Sequence, residues 1–374
     1  MNAATRRDVM LGSAVALAGT AAVAPSAASA AQRETPPFVA DSEIPVDVIG
    51  DGRSHPLRER FERLEDAQKI YPRARSLDDE IDWCAVQHAI YKIQQRGTGA
   101  IYLPNRGGSY VFNRGIKLNP NRVTLRGGGT VLDFRNAEGD TAITFASENG
   151  PQWGHEKHVF QGFDVIGHQE MAGLYFATNT KAMSSRTQIR DTVIREFGSG
   201  VLFGDRSYMI SFHHVSIYNC YFGINCPYGL IEAGETVSFS QCSLFGCYCT
   251  ILNTAGFELK FFATSLVYSE RIVWDNNGLI DFLSCRVEIQ PPKDVPFHNG
   301  VGRVDFYGGF FLINGQREVK AQELFAFNDP VASVHMIGLR GWNWISASGK
   351  LTNGPGKIFR YEGNSIDTPP KGYV

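Results

Sequence analysis

Residues 237–244 read VSFSQCSL, residues 259–266 LKFFATSL, residues 280–287 IDFLSCRV and residues 304–311 VDFYGGFF. All fit one template, apolar-x-apolar-x-x-small/apolar-x-apolar, anchored on its second apolar residue: Phe239, Phe261, Phe282 and Phe306. The template extends loosely to HVFQGFDV at Phe160, then to TQIRDTVI at Ile189 and MISFHHVSI at Phe212, and with a weaker end to VHMIGLRG at Met336. Successive anchors are 21 to 30 residues apart. A repeat of that length built only of short strands suits a solenoid, in which each turn returns the same strand beside its predecessor. Neighbouring rungs then lie ~4.8 Å apart, with the backbone paired above and below. A β-sandwich also repeats short strands but does not demand one residue type at one register, and Phe recurs at the anchor. Rings stacked inside the coil account for many of the 25 Phe.

This register arranges the polar residues. The residue before each anchor points outward, and stacking aligns Gln188, Ser211, Ser238, Lys260, Asp281, Asp305 and His335 into one column. A second column runs Val193, Ser216, Ser243, Ser265, Arg286, Phe310 and Arg340, with Glu288 beyond Arg286 and with Glu270 and Arg271 just past the strand one turn earlier. LIDFLSCRVEIQ, residues 279–290, therefore carries its three charges into a patch spanning several turns. Two carboxylates on adjacent rungs raise at least one pKa, and such a pair can supply an acid and a base at one pH. The plainer alternative is an ion pair of Lys260 with Asp281 on a solvated surface.

The 374 residues are 43% apolar, enough for a large core, and the formal charge of −2 offers no basic field for a nucleic acid backbone. Residues 1–30, MNAATRRDVMLGSAVALAGTAAVAPSAASA, have the order of an export signal: Arg6-Arg7, a short Ala/Gly-rich apolar run, then Ala-Ser-Ala. The Arg pair resembles a twin-arginine signal, so the expected location is periplasmic or secreted, with the mature chain starting near Ala31. No segment has the length and apolarity of a membrane span. The seven cysteines show no zinc-site spacing, and the expectation is that most are buried as small hydrophobes. Residues 31–75 read as an arm and a short helix starting near Pro56. Ser76-Leu77-Asp78-Asp79 has capping-box spacing before a helix over 77–96, whose Ile81, Ala85, Ala89 and Ile93 form an apolar stripe. The β-helix with this helix as its cap is expected over 76–348, and a C-terminal tail over 349–374.

DDEIDWCAVQHAIYKIQQRGTGAIYLPNRGGSYVFNRGIKLNPNRVTLRGGG, residues 78–129, resembles the N-terminal opening of the pectate-lyase-like superfamily of single-stranded, right-handed parallel β-helices. Ile101 to Pro104, Tyr110 and Val123 to Gly129 hold the places of that opening. The resemblance implies an all-β solenoid whose first coil is covered by the helix, and a homotrimer in many relatives. It leaves activity open, because the superfamily includes lyases, hydrolases, epimerases, fructan-processing enzymes and phage tailspikes. The Gly-His-Gly and Arg-x-Lys motifs of polygalacturonases and the Trp-x-Asp-His run of pectate lyases are missing, GHQ at 167–169 being a partial echo.

The function read from these residues is cleavage of glycosidic bonds in an extracellular polysaccharide, by hydrolysis with Asp281 and Asp305 as paired carboxylates and Lys260 beside them. Arg286, Glu288, Glu270, Arg271 and His335 are the expected substrate contacts. No cofactor is required for this chemistry. One alternative is β-elimination on a uronic-acid polymer, with Lys260 or an Arg as base and the Asp pair holding Ca²⁺. Another is a non-catalytic glycan-binding envelope protein using the same face. Trp342 and Trp344 are candidates for a sugar-stacking platform or an end cap.

Overall fold

The computed structural model describes residues 46–147, 157–177, 183–289, 295–313, 323–340 and 352–362. Residues 1–30, read as an export signal, and Trp342 and Trp344 lie outside the described residues. Every pairing between strands is parallel, in an eighteen-stranded network, a ten-stranded sheet and a minor two-stranded one. The anchor column runs unbroken: Ile101 lies beside Leu125, which lies beside Phe160, then Ile189, Phe212, Phe239, Phe261, Phe282, Phe306, Met336 and Tyr361. The chain is thus an all-β, right-handed parallel β-helix.

The two unassigned positions of the template are a corner. Two residues after each anchor the backbone is left-handed: Gly162, Asp191, His214, Gln241, Ala263, Ser284, Gly308 and Gly338 have φ between 46° and 79°. Such a conformation disfavours non-glycine residues by roughly 1–2 kcal/mol. Here the corner amides remain paired from turn to turn, with Ala263 N donating to Leu283 O and Ser284 N to Tyr307 O, both at 2.9 Å. The corner splits each repeat into two strands, such as Leu279–Leu283 and Arg286–Ile289.

Inside, the anchors stack face to face. The ring centroids are 4.4 Å apart for Phe212 and Phe239, 4.9 Å for Phe239 and Phe261, 5.1 Å for Phe261 and Phe282, and 5.0 Å for Phe282 and Phe306. Across the coil a buried amide ladder holds another corner. Asn253 Nδ2 donates to Asn276 Oδ1 at 2.8 Å, and Asn276 Nδ2 to Asn299 Oδ1 at 3.3 Å. All seven cysteines are free and buried, as their sequence context indicated.

Among the described residues a short 3-10 helix (Leu57–Glu59) and two α-helices, α1 (Leu64–Ile70) and α2 (Ile81–Arg96), precede the coils. α2 covers the first coil with Ile81, Val86, Ile90 and Ile93 buried, worth about 1.5–3 kcal/mol for each such side chain. It starts later than the capping-box reading had it. Ser76 and Asp79 fold into a turn instead, Asp79 Oδ2 accepting from Arg75 N (2.6 Å) and Ser76 N (3.1 Å), while Oδ1 receives Arg114 Nε (2.8 Å). A buried carboxylate already engaged in that way leaves the helix to begin one turn on. At the other end, strands Thr352–Asn353 and Lys357–Glu362 pair with Phe325–Phe327 and Ser333–Ile337, so the coil continues beyond residue 348 into the segment read as a tail.

Candidate functional site

Four strands lie side by side in consecutive turns: Glu258–Phe262, Leu279–Leu283, Arg303–Tyr307 and Ser333–Ile337. Their period-two alternation sends Leu259, Ile280, Val304 and Val334 inward with the anchors. Between them stand Lys260, Asp281, Asp305 and His335, register partners in that order. The row read from the repeats is therefore present. Arg286 and Glu288 share the turn of Asp281 but lie past the corner at Ser284, on the strand Arg286–Ile289.

Asp305 differs from expectation in being wholly buried. Its neighbours two residues away on the same face cover it: Oδ2 forms an ion pair with Arg303 Nε at 3.0 Å and accepts from the Tyr307 hydroxyl at 3.3 Å. Its Oδ1 has no hydrogen bond among the described residues and lies 3.4 Å from His335 Nδ1. Asp281, on the adjacent rung, is half-buried, and burial followed by the Asp305 charge pushes its carboxyl above the usual carboxylate range, against Lys260 and Arg303. The pair thus divides into one half-buried carboxyl and one buried carboxyl paired with Arg303.

Lys260 does not form its ion pair with Asp281. Its Nζ lies 2.7 Å from Glu258 Oε1 on its own strand, and this bond foremost raises the ammonium pKa. Glu258, Arg303 and Tyr307 were absent from the residues read from the sequence. The signal existed: positions two before and two after a column residue share its face.

Arg286 is bound to Glu288, which is buried, and its guanidinium lies 5.5 Å from the Phe310 ring. Glu270 and Arg271 are not brought to the row. Glu270 is exposed beyond the strand Ser265–Ser269, and Arg271 opens the strand Arg271–Asn276 of the ten-stranded sheet. There Arg271 lies 4.2 Å from the Trp274 ring and 5.6 Å from Tyr248, which stacks at 4.6 Å on the exposed Tyr221.

The row does not fit a Ca²⁺ cage, which needs six or more oxygens around one point. Asp305 is committed to Arg303 and Tyr307, and Lys260 stands between Glu258 and Asp281 in the register. Among the described residues no group of three His, Cys, Asp or Glu side chains is placed to hold a metal ion.

Fold and row together define the architecture: a right-handed parallel β-helix with a helix over its first coil and ionisable residues on one outer face. Among solved structures the chain is similar to the enzymatically active domain of tailspike protein 4 from bacteriophage CBA120, with TM-score 0.60 and 16% identity over 76% of this chain and 42% of that one. It therefore spans less than half of that protein's length. Two further tailspikes, both called gp49, match at TM-score 0.44. One is from Pseudomonas phage LKA1 (13% identity, 87% of this chain, 81% of that one). The other is from Acinetobacter baumannii bacteriophage Fri1, described as a capsular polysaccharide depolymerase (11% identity, 76% of this chain, 60% of that one). No protein-family model and no curated protein matches the chain. Among the described residues no helix is long and apolar enough to cross a membrane.

Proposed function

We propose that this chain is an exported carbohydrate-active β-helix that hydrolyses glycosidic bonds of a polysaccharide, with Asp281 as general acid. The carrying observation is that Asp281 stands half-buried on the outer row while burial and the Asp305 charge raise its pKa from the ordinary 3.8. A glycosidic oxygen needs a proton as its bond to the anomeric carbon breaks, and a carboxyl that keeps its proton nearer neutrality supplies it. Glu258, half-buried and oriented by Lys260, is the second carboxylate, taking the place first given to Asp305. Asp305, held by Arg303 and Tyr307, is a positioning residue that tunes Asp281. The CBA120 tailspike domain of the same fold, named as enzymatically active, gives general support to a catalytic reading.

Elimination is disfavoured by the same geometry. Its base must be neutral, and Lys260 is held cationic by Glu258 while Arg286 is committed to Glu288. Non-catalytic glycan binding is the second reading, favoured by one feature: the Tyr221, Tyr248 and Trp274 rings with Arg271, a sugar-stacking surface on another sheet. Export by residues 1–30 belongs to the proposal, and N-terminal sequencing of the mature protein should begin near Ala31.

The test is a panel of bacterial and plant polysaccharides, assayed for reducing ends and for ultraviolet absorbance of unsaturated ends. Hydrolysis gives the first without the second. Asp281→Asn should lower the rate about 10²–10⁴-fold, the usual span for a general acid, and Glu258→Gln should lower it comparably. Undiminished cleavage by Asp281→Asn overturns the assignment. Unsaturated ends select elimination, and binding without product selects the second reading.

A further inference from the structure

A groove of about 720 Å³ opens far from the row, between α2, the turn at Pro72–Arg75 and the strand Arg114–Leu118 of the first coil. Its walls carry four cationic side chains, Arg73, Arg75, Lys117 and Arg122, and among the described residues lining it there is no carboxylate. Across the whole chain acids and bases nearly balance, at 38 and 36, so this wall is a local excess. The two acids nearest in sequence to Arg75 are engaged elsewhere, Asp78 by Arg58 and the buried Asp79 by Arg114. No ion pair to a described carboxylate joins Arg73, Arg75 or Arg122. A cleft lined by one sign of charge concentrates its field on a ligand of the other sign.

The groove is also held in shape. Arg73 lies over the Tyr91 ring at 4.3 Å, and Arg122 Nη1 donates to Gln94 O at 2.6 Å, which fixes that guanidinium while leaving further N–H donors free to point elsewhere. Gln87 clamps helix to strand, accepting from Lys117 N at 3.0 Å and donating to Lys117 O at 3.3 Å. Trp83 Nε1 does the same, donating to Gly115 O at 3.0 Å. Two guanidinium-bearing walls, amide side chains and a tyrosine ring meet the needs of carboxylates and hydroxyls together. The volume is in the range of organic ligand pockets, far beyond that of a single inorganic anion.

We infer that this groove is a second binding site, for an acidic saccharide segment whose carboxylate or sulfate groups are taken by Arg73, Arg75 and Arg122. The saccharide part rests on the polysaccharide reading; the preference for an anion rests on the groove alone. The site would hold an acidic polymer at the capped end of the solenoid while Asp281 works several turns away.

The experiment is calorimetric titration of the full protein, and of its Asp281→Asn variant, with trigalacturonate, a sulfated disaccharide and the neutral galactotriose. The expected result is binding of at least one acidic probe at least tenfold tighter than of galactotriose, weakening as salt rises. Arg73→Gln with Arg75→Gln should reduce it at least tenfold. Both lie on an exposed turn, and unchanged circular dichroism will show that the fold stands; Arg122→Gln is the independent check. Equal binding of neutral and acidic probes, no binding of either acidic probe, or affinity unchanged in the double variant overturns the inference. Because Asp281→Asn leaves the groove intact, binding that survives there without cleavage separates this result from any failure of the catalytic proposal.

Discussion

Phe261 and Phe262 are adjacent on one strand and differ only in which way they point, so truncating each to alanine measures the register directly. The Phe261 ring is fully buried, stacked on Phe239 at 4.9 Å and on Phe282 at 5.1 Å. Removing a buried Phe costs about 3–5 kcal/mol in transfer and cavity terms. Ring pairs of this geometry each contribute about 0.5–1.5 kcal/mol beyond area burial, so the loss for Phe261→Ala should fall at the upper end, about 5 kcal/mol. Phe262 is 38% exposed, and as a surface truncation Phe262→Ala should cost under about 1 kcal/mol. Urea unfolding followed by far-ultraviolet circular dichroism reads both. With m unchanged, the roughly 4 kcal/mol between the variants appears as a difference in midpoint. Similar losses, or a larger one for Phe262→Ala, would mean that the strand does not present alternate faces as described, and the outward row would fall with it.

Other consequences are open to simpler measurements. Asp281 has a folded pKa above its ordinary value of 3.8, so over the interval between the two the native state holds more protons than the unfolded chain and stability falls as pH rises. Asp281→Asn removes that fall; its urea midpoint should match or exceed wild type at neutral pH, and a lower midpoint there would contradict the assignment. Asn276→Ala strands the amide partners Asn253 and Asn299 in the interior and should cost roughly 3 kcal/mol, at about 1–3 kcal/mol per unsatisfied group, in the same assay. Gly309 has φ of 94°, and a Cβ there would lie 2.3 Å from Cys285 O, so Gly309→Ala should lose at least about 2 kcal/mol. The Cys242 and Cys285 thiols are pushed up to about 11 by burial, and a thiol reagent should leave both unmodified until the protein unfolds.

What the sequence made legible was periodicity. Backbone pairing in a parallel solenoid is one residue to one residue, so the interval between anchors carries the register whatever the loops contain, and both columns are found as counted. What it did not make legible was reach. Whether Lys260 turns to Asp281 across a rung or to Glu258 along its strand depends on side-chain torsions, which no spacing rule fixes. The burial of Asp305 has the same origin, since Arg303 and Tyr307 can fold over it or stand away without changing the pattern. Arg271 was misplaced because the chain turns a further corner after Ser269, and an outward residue past that corner faces another side of the coil.

The strongest reason to treat the row as functional is what stands in the same column three turns earlier. Ser211 and Ser238 occupy the positions that Asp281 and Asp305 occupy later, with the same backbone pairing. A hydroxyl suffices for the coil there. Two carboxylates about 5 Å apart repel by roughly 3 kcal/mol at an effective dielectric of 20, before the desolvation of a fully buried Asp305 is counted. The chain offsets this with Arg303 rather than carrying Ser there. Folding alone gains nothing from that substitution. The proposed acid at Asp281 does gain, since the Asp305 charge beside it raises its pKa, and a catalytic role would account for an arrangement that selection for stability alone would remove.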